Sequence, residues 1–137
     1  MGGTFVGELD VTVLSDDKDG RREARLCSPF TWHTGKWSIT VPAGFVTDFA
    51  SVPREFWIFE PPFGDAAQAA VIHDFLYATV GTCSVDGVRY TNRPDPFSRA
   101  DADGVFRKAL AASGVGLVKR NILWAAVRAG GWRGWGS

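Results

Sequence analysis

The sequence predicts an α+β fold in which a small antiparallel sheet from the N-terminal third is followed by three packed helices. Short alternating segments separated by turn-forming residues occupy the first third, and segments with apolar residues at helical spacing occupy the second half. The chain has 137 residues, of which 45% are hydrophobic, and this is enough for one packed core. We therefore expect a single domain over residues 1–137, with residues 130–137 as a Gly- and Trp-rich C-terminal tail.

The predicted strands lie in the first third of the chain. Residues 4–14 alternate loosely and end at the polar run SDDKDG, which is typical of a turn. Residues 21–30 and 36–41 predict two more strands with TWHTG as the turn between them, and this places His33 in solvent without a further role. Residues 42–64 contain four prolines and two glycines, so we expect an ordered loop that covers the core.

The first predicted helix contains an adjacent His-Asp pair in the apolar stretch AAVIHDFLYATV. Asp65, with Gln68 three residues later, resembles a capping box, and the helix is expected to run to about residue 80. Residues at helical spacing share one face, which we expect to be buried. They are Ala69, Ile72, His73, Leu76, Tyr77 and Val80.

The remaining elements follow from local turn and capping signals. Residues 81–96 predict a loop or short hairpin that turns at Asp86-Gly87. Ser98, with Asp101 three residues later, predicts the start of a second helix that runs to about residue 113. A third helix is expected over residues 116–129, before a Gly-Gly pair. One side of the second helix carries Asp103, Phe106, Leu110 and Ser113.

Composition argues against several classes of partner. Fifteen basic and fifteen acidic residues cancel, so no nucleic-acid partner is expected. No apolar run approaches the roughly 20 residues that span a bilayer, so no transmembrane segment is expected. The N-terminus lacks a secretory signal pattern, which favours synthesis in the cytoplasm. Cys27 and Cys83 are interpreted as free thiols.

The His-Asp pair and its neighbours form a candidate catalytic constellation. His73 suits a general base that activates water, and Tyr77, four residues later, can contact its ring. Asp103 is the candidate to orient the imidazole, because an unpaired carboxylate on the apolar side of a helix is costly, and Arg99 can support it by neutralising its charge. The alternative is a buried polar clamp with a purely structural role.

Two aspartates are candidate metal ligands. Asp74 adjoins His73, and Asp48 lies in the glycine- and proline-framed segment VPAGFVTDFASVPR. Both could hold a divalent cation, for which calcium is the candidate. Asp48 could equally bond to the backbone of its own loop.

The tail leaves two alternatives open. Trp132 and Trp135 could cover the core, or with Arg133 they could bind another protein, since Trp and Arg dominate interface hot spots.

Three segments together resemble a family of phage and prophage proteins, domain of unknown function 1353: VPAGFVTDFASVPR, AAVIHDFLY and SRADADGVFRKAL. The resemblance covers roughly residues 32–131 and places Arg99, Ala102, Asp103 and Phe106 on the family's matching positions. It implies a phage-encoded or prophage-encoded protein and brings no activity with it. The first helix also has a more local likeness to the His-Asp-x-x-Tyr helix of secreted phospholipase A2. In that enzyme the His is the base and its neighbouring Asp is a calcium ligand. The Gly-rich calcium loop and the flanking disulfides of that enzyme are absent from this sequence.

Two functions follow as hypotheses. The first is a bacteriophage virion or assembly component of the tail tip or baseplate, held by other phage structural proteins, made in the host cytoplasm and then carried in the virion. The second is a small, metal-dependent phage hydrolase that contacts the host envelope transiently and acts on an envelope component, with His73 as base.

Overall fold

Small antiparallel sheets form the N-terminal part of the protein. The computed structural model describes residues 3–16, 22–48 and 66–136. Its first six strands are β1 (Thr4–Val6), β2 (Val11–Asp16), β3 (Arg22–Leu26), β4 (Phe30–Thr34), β5 (Trp37–Val41) and β6 (Val46–Thr47). They form two three-stranded sheets with the orders β1-β4-β5 and β2-β3-β6.

The inward side of the β1-β4-β5 sheet forms one wall of the core. Phe30 pairs with Val41 and Trp32 with Ile39, and all four side chains are fully buried. His33 points to the opposite side of β4 and is exposed, because successive side chains of a strand alternate between its two faces.

The strand boundaries differ from those predicted. The single strand expected over residues 4–14 is divided into β1 and β2, which belong to different sheets, and Gly7 between them has a left-handed φ of 83°. The predicted turn TWHTG is mostly strand β4, because Trp32 is buried against the core and the turn itself is confined to Gly35 and Lys36. His33 is therefore exposed as expected, but it lies on a strand.

Three α-helices follow in the described part of the chain: α1 (Ala67–Ala78), α2 (Arg99–Ala112) and α3 (Leu117–Gly130). The α+β class is thereby confirmed. A two-stranded hairpin of β7 (Ser84–Val85) and β8 (Val88–Arg89) joins α1 to α2 and turns, as predicted, at Asp86-Gly87. Both turn residues have a left-handed φ, of 52° and 81°, which is typical of the tightest hairpin turns.

Capping residues set the start of α2 as the sequence predicted. The Ser98 side chain accepts a hydrogen bond from the Asp101 amide, and the Asp101 carboxylate accepts one from the Ser98 amide. The predicted cap of α1, Asp65, and most of the predicted loop over residues 42–64 lie outside the described residues. The first helical residue of α1 is Ala67, and the preceding Ala66 makes no side-chain capping bond.

Helix α1 is the centre of the fold. It packs against β5 and β6 on one side and against α2 on the other, and α3 packs on α2. Nine of its twelve residues are buried, so it is buried well beyond the single predicted face. Val80 is 44% exposed and does not belong to that face, because the helix ends at Ala78 and Val80 adopts a left-handed conformation beyond it.

The cysteines are free thiols, as predicted, with Cys27 exposed and Cys83 buried. No helix among the described residues is long and apolar enough to cross a membrane.

Candidate functional site

A buried carboxylate at the junction of the three helices is the centre of the candidate site. Asp103 lies in the second turn of α2 on the side that packs against α1, where Ala102 and Phe106 are also fully buried. His73 and Tyr77 project from α1 toward it, because residues four apart lie above one another on a helix. The contact between α1 and α2 therefore brings together the three predicted catalytic residues.

The three side chains are joined by short hydrogen bonds. His73 Nε2 lies 2.7 Å from Asp103 Oδ1, and the Tyr77 hydroxyl donates to the same oxygen at 2.6 Å. The imidazole is also held between rings, with centroid separations of 4.2 Å to Tyr77 and 4.7 Å to Phe106. His73 is 2% exposed and Asp103 is fully buried.

Two arginines bind the other oxygen of the carboxylate. Arg128 of α3 donates to Asp103 Oδ2 at 2.8 Å, and the Arg99 guanidinium lies 3.7 Å from it. Arg99 also donates to the carbonyl oxygens of Val127 and Arg128 near the C-terminus of α3, where a positive charge is favourable. These five side chains, from α1, α2 and α3, are called the Asp103 cluster below: His73, Tyr77, Arg99, Asp103 and Arg128.

The cluster perturbs the ionisation of its members. Burial lowers the pKa of His73 below its ordinary value of 6.5, although the hydrogen bond to Asp103 opposes this shift. Burial alone would raise the pKa of Asp103, but the hydrogen bonds from His73, Tyr77 and Arg128 outweigh it and hold this pKa below its ordinary value. Burial also raises the pKa of the Tyr77 hydroxyl, and the neighbouring Asp103 carboxylate adds to this effect. The favoured state at neutral pH is an ionised Asp103 beside a neutral His73 and a neutral Tyr77.

This ionisation state fixes the tautomer of the imidazole. A carboxylate can only accept hydrogen bonds, so Nε2 of His73 carries the proton that Asp103 accepts. The basic lone pair is then on Nδ1. The arrangement can serve two ends: it orients a histidine as a general base, and it fixes three helices to one buried charge.

The two predicted metal ligands differ in their exposure, since Asp74 is partly buried and Asp48 is exposed. Asp74 lies on α1 and accepts a short hydrogen bond from the Thr47 hydroxyl, which ties the helix to β6. Asp48 directly follows Thr47 in the chain. Among the described residues no group of three or more His, Cys, Asp or Glu side chains could hold a metal ion.

The C-terminal residues contribute the outer wall of the cluster. Trp135 packs edge-on against the Tyr77 ring at 5.1 Å, and the Gly136 amide donates to the Tyr77 carbonyl at 3.0 Å. A short 3-10 helix (Gly131–Arg133) precedes them, and a side chain at Gly131 would collide with the Tyr77 hydroxyl. Trp135 thus covers the core, whereas Trp132 is 61% exposed and Arg133 is exposed beside it.

Arg128 is the residue of the cluster that sequence reasoning missed. Arg99 was expected to neutralise Asp103, yet Arg128 is closer to the carboxylate. The only local signal is that Arg128 stands between Val127 and Ala129 in the last turns of an amphipathic helix, and this does not reveal a contact across 25 residues of sequence.

The fold and the site define a small α+β protein whose three helices meet at a buried, charged aspartate. The chain belongs to the family described as Protein of unknown function (DUF1353), which it matches over residues 24–127. That range includes every member of the Asp103 cluster except Arg128, which directly follows its last residue. No curated protein and no solved structure matches the chain.

Proposed function

We propose that the protein is a bacteriophage virion or assembly component, associated with the tail tip or baseplate, in which the Asp103 cluster has a structural role. The observation that carries the structural role is that the buried carboxylate of α2 is hydrogen-bonded to both of the other helices. Asp103 Oδ1 accepts from two side chains of α1, and Oδ2 accepts from Arg128 of α3. A carboxylate engaged in this way holds the three helices in register.

The phage assignment rests on the resemblance of three segments, VPAGFVTDFASVPR, AAVIHDFLY and SRADADGVFRKAL, to those of phage and prophage proteins. Other phage structural proteins are the expected partners. The protein would be made in the host cytoplasm and then carried in the particle.

The test of the assembly role is quantitative mass spectrometry of purified virions from a lysogen that carries the gene. We expect peptides of this chain at a fixed ratio to the major tail proteins. This ratio should not fall when the virions are purified through a second density gradient. Abundant protein in the lysate together with its absence from the particles would contradict a virion component. A matched strain with a stop codon early in the gene separates a virion component from an assembly factor. If the protein is absent from wild-type particles but the stop-codon strain yields fewer particles, the protein is an assembly factor.

A second candidate function is favoured by the His73–Asp103 pair. The 2.7 Å bond fixes the Nε2–H tautomer, and the lowered pKa of His73 keeps the imidazole neutral and able to accept a proton at pH 7. As a hydrolase acting on an envelope component, the protein would use His73 as the general base that takes a proton from water, while Asp103 stabilises the imidazolium that forms. Asp74 and Asp48 are the predicted calcium ligands, although the described residues contain no group of three ligating side chains that includes them.

The hydrolase is tested with phospholipid vesicles that carry fluorescent acyl chains, in calcium and in chelator. Release of the fluorophore that is lost in His73→Gln and retained in the exposed control His33→Gln would support it. Absence of release by the folded wild type, together with a melting temperature that calcium does not raise, would count against lipid hydrolysis and against a cation at Asp74.

A further inference from the structure

The side of α3 that faces away from the core is apolar. Leu123 and Val127 are the buried residues of this helix, and they pack toward α2. On an ordinary amphipathic helix the opposite side would carry charged residues. Here four apolar residues occupy it at helical spacing, all of them exposed: Val118, Ile122, Ala125 and Ala129.

Larger apolar side chains extend this stripe at its edges and its end. Val118 is 74% exposed and Leu117 57% exposed, although both are branched aliphatic residues. Trp124 is 37% exposed and lies one turn before Arg128 on the side of the helix that faces Asp103, whereas the exposed Trp132 lies just beyond the C-terminus of the helix. We call the following set the outer surface of α3: Leu117, Val118, Ile122, Ala125, Ala129 and Trp132.

The surface lies in the C-terminal quarter of the chain, which is strongly basic. The net charge of zero conceals this asymmetry, since all fifteen acidic side chains lie in residues 1–103 and no Asp or Glu follows Asp103. Residues 104–137 carry six basic side chains: Arg107, Lys108, Lys119, Arg120, Arg128 and Arg133.

Some of these cations border the outer surface directly. Arg107 of α2 is exposed and donates from Nε to Asn121 of α3 at 2.8 Å, which places its charge beside the helix. The guanidinium of Arg133 lies 5.3 Å from the centre of the Trp132 ring at the other end. Lys108 is exposed next to Arg107.

We propose that the outer surface of α3 rests on an anionic phospholipid bilayer. An apolar helix face with a tryptophan at its end and cations beside it is the chemistry that binds the boundary between lipid head groups and acyl chains. Each Lys or Arg near such a surface adds electrostatic attraction. The assignment follows from exposure and charge alone and does not depend on the virion role.

Charge also favours an anionic bilayer over a second copy of the chain as the binding partner of this surface. Two copies that met through this surface would bring two α3 helices together, each with Lys119, Arg120 and Arg128 and with no Asp or Glu of its own, and like charges at close range repel. A protein partner with apolar side chains bordered by carboxylates is the alternative that the experiment below distinguishes.

The experiment measures flotation of the full chain with two kinds of vesicle at low ionic strength. One kind contains phosphatidylglycerol and phosphatidylethanolamine, and the other contains phosphatidylcholine alone. We expect the protein to float with the anionic vesicles, to remain in solution with the neutral ones, and to be released as the salt concentration rises.

Surface variants make the assignment specific. The double variant Val118→Asp/Ile122→Asp should bind anionic vesicles at least ten-fold more weakly, because it places carboxylates in the apolar stripe. The matched control is Val88→Asp, which changes a valine that is 51% exposed on the β7–β8 hairpin. Arg107→Gln and Arg133→Gln should each weaken binding roughly five-fold, and Lys36→Gln, in the exposed β4–β5 turn, should leave it unchanged.

Circular dichroism and thermal unfolding establish whether each variant is folded. If the double aspartate variant does not fold, the binding of the charge variants tests the proposal instead. Absence of binding to the anionic vesicles would overturn the lipid assignment in favour of a protein partner. Equal binding to both kinds of vesicle, or equal loss in the control and the surface variants, would overturn it as well.

Discussion

At the scale of single residues, Asp103 is the group on which most of the site depends. It is fully buried, and its charge is balanced by Arg128 at 2.8 Å and Arg99 at 3.7 Å. Removal of one member of a buried ion pair costs more than the pair contributes, because the remaining charge is left without a partner.

We therefore expect Asp103→Asn to lower the free energy of unfolding by about 3 kcal/mol, at the low end of the usual range because both arginine side chains are partly exposed. Urea unfolding followed by circular dichroism measures this loss. The control is Asp101→Asn on the same helix, where an exposed carboxylate is neutralised and a loss of about 1 kcal/mol or less is expected. Equal losses in the two variants would show that the Asp103 cluster is not a structural centre.

His73 should make stability depend on pH. Burial holds its pKa below 6.5 in the folded protein, so below pH 6.5 the unfolded chain binds more protons than the folded one. The free energy of unfolding then falls as the pH falls, by at most about 1.4 kcal/mol per pH unit, until the folded-state pKa is reached. The contribution of Asp103 is lost in a separate window, below its ordinary pKa of 3.8.

Urea midpoints between pH 7.5 and pH 5 test this dependence. The decrease should disappear in His73→Gln, which keeps a donor for Asp103 without titrating, and should persist in the exposed control His33→Gln. An identical decrease in wild type and His73→Gln would assign the dependence to other groups.

At the scale of elements, the junction between α1 and the β7–β8 hairpin depends on one glycine. Gly81 has a φ of 77°, its amide donates to the Leu76 carbonyl at 2.8 Å, and its own carbonyl accepts from the Phe97 amide at 2.8 Å. This closes the end of α1 and positions the start of α2. A Cβ at Gly81 would overlap the carbonyl oxygen of Phe97.

Gly81→Ala should consequently destabilise the protein far more than Gly87→Ala. Gly87 has a similar φ of 81° but open space around it, so its substitution costs only the strain of the left-handed conformation, about 1 kcal/mol. Thermal unfolding of the two variants measures the contrast. Similar melting temperatures of the two variants would show that the overlap between a Cβ at residue 81 and the Phe97 carbonyl oxygen is avoided without loss of stability.

The elements also show what the sequence can and cannot predict. The bounds of α2 and the turn at Asp86-Gly87 were predictable because Ser98, Asp101 and Gly87 act on their immediate neighbours. The division into two sheets was not, since β3 pairs with both β2 and β6, and such pairing is decided by packing over distant parts of the chain.

The same distinction applies to the candidate site. His73, Tyr77 and Asp103 could be predicted to meet because each lies on the apolar side of a recognisable helix, where a polar group needs a partner. Arg128 could not, because its contact depends on how α3 crosses α2. No sequence pattern specifies that crossing.

At the scale of the whole molecule, the two thiols report on the integrity of the core. Cys27 is exposed, whereas Cys83 is fully buried and burial raises its pKa to about 12. A thiol reacts as its thiolate, so Cys83 is protected both by access and by ionisation.

With Ellman's reagent we expect one fast-reacting thiol in the native protein, two in guanidinium chloride, and none that is fast in native Cys27→Ser. The slow reaction of Cys83 then gives the rate at which the core opens. Two fast thiols in the native state would show that the hairpin beside Cys83 opens readily.

The central position of α1 has a consequence for the motions of the chain. Nine of its twelve residues are buried, between β5 and β6 on one side and α2 on the other. Its amide hydrogens can therefore exchange with deuterated solvent only when the neighbouring elements separate, which makes their protection a measure of global unfolding. Helix α3, with an entire side in solvent, can lose its own protection through smaller openings, and the protein is expected to retain deuterium-resistant amides longest around His73.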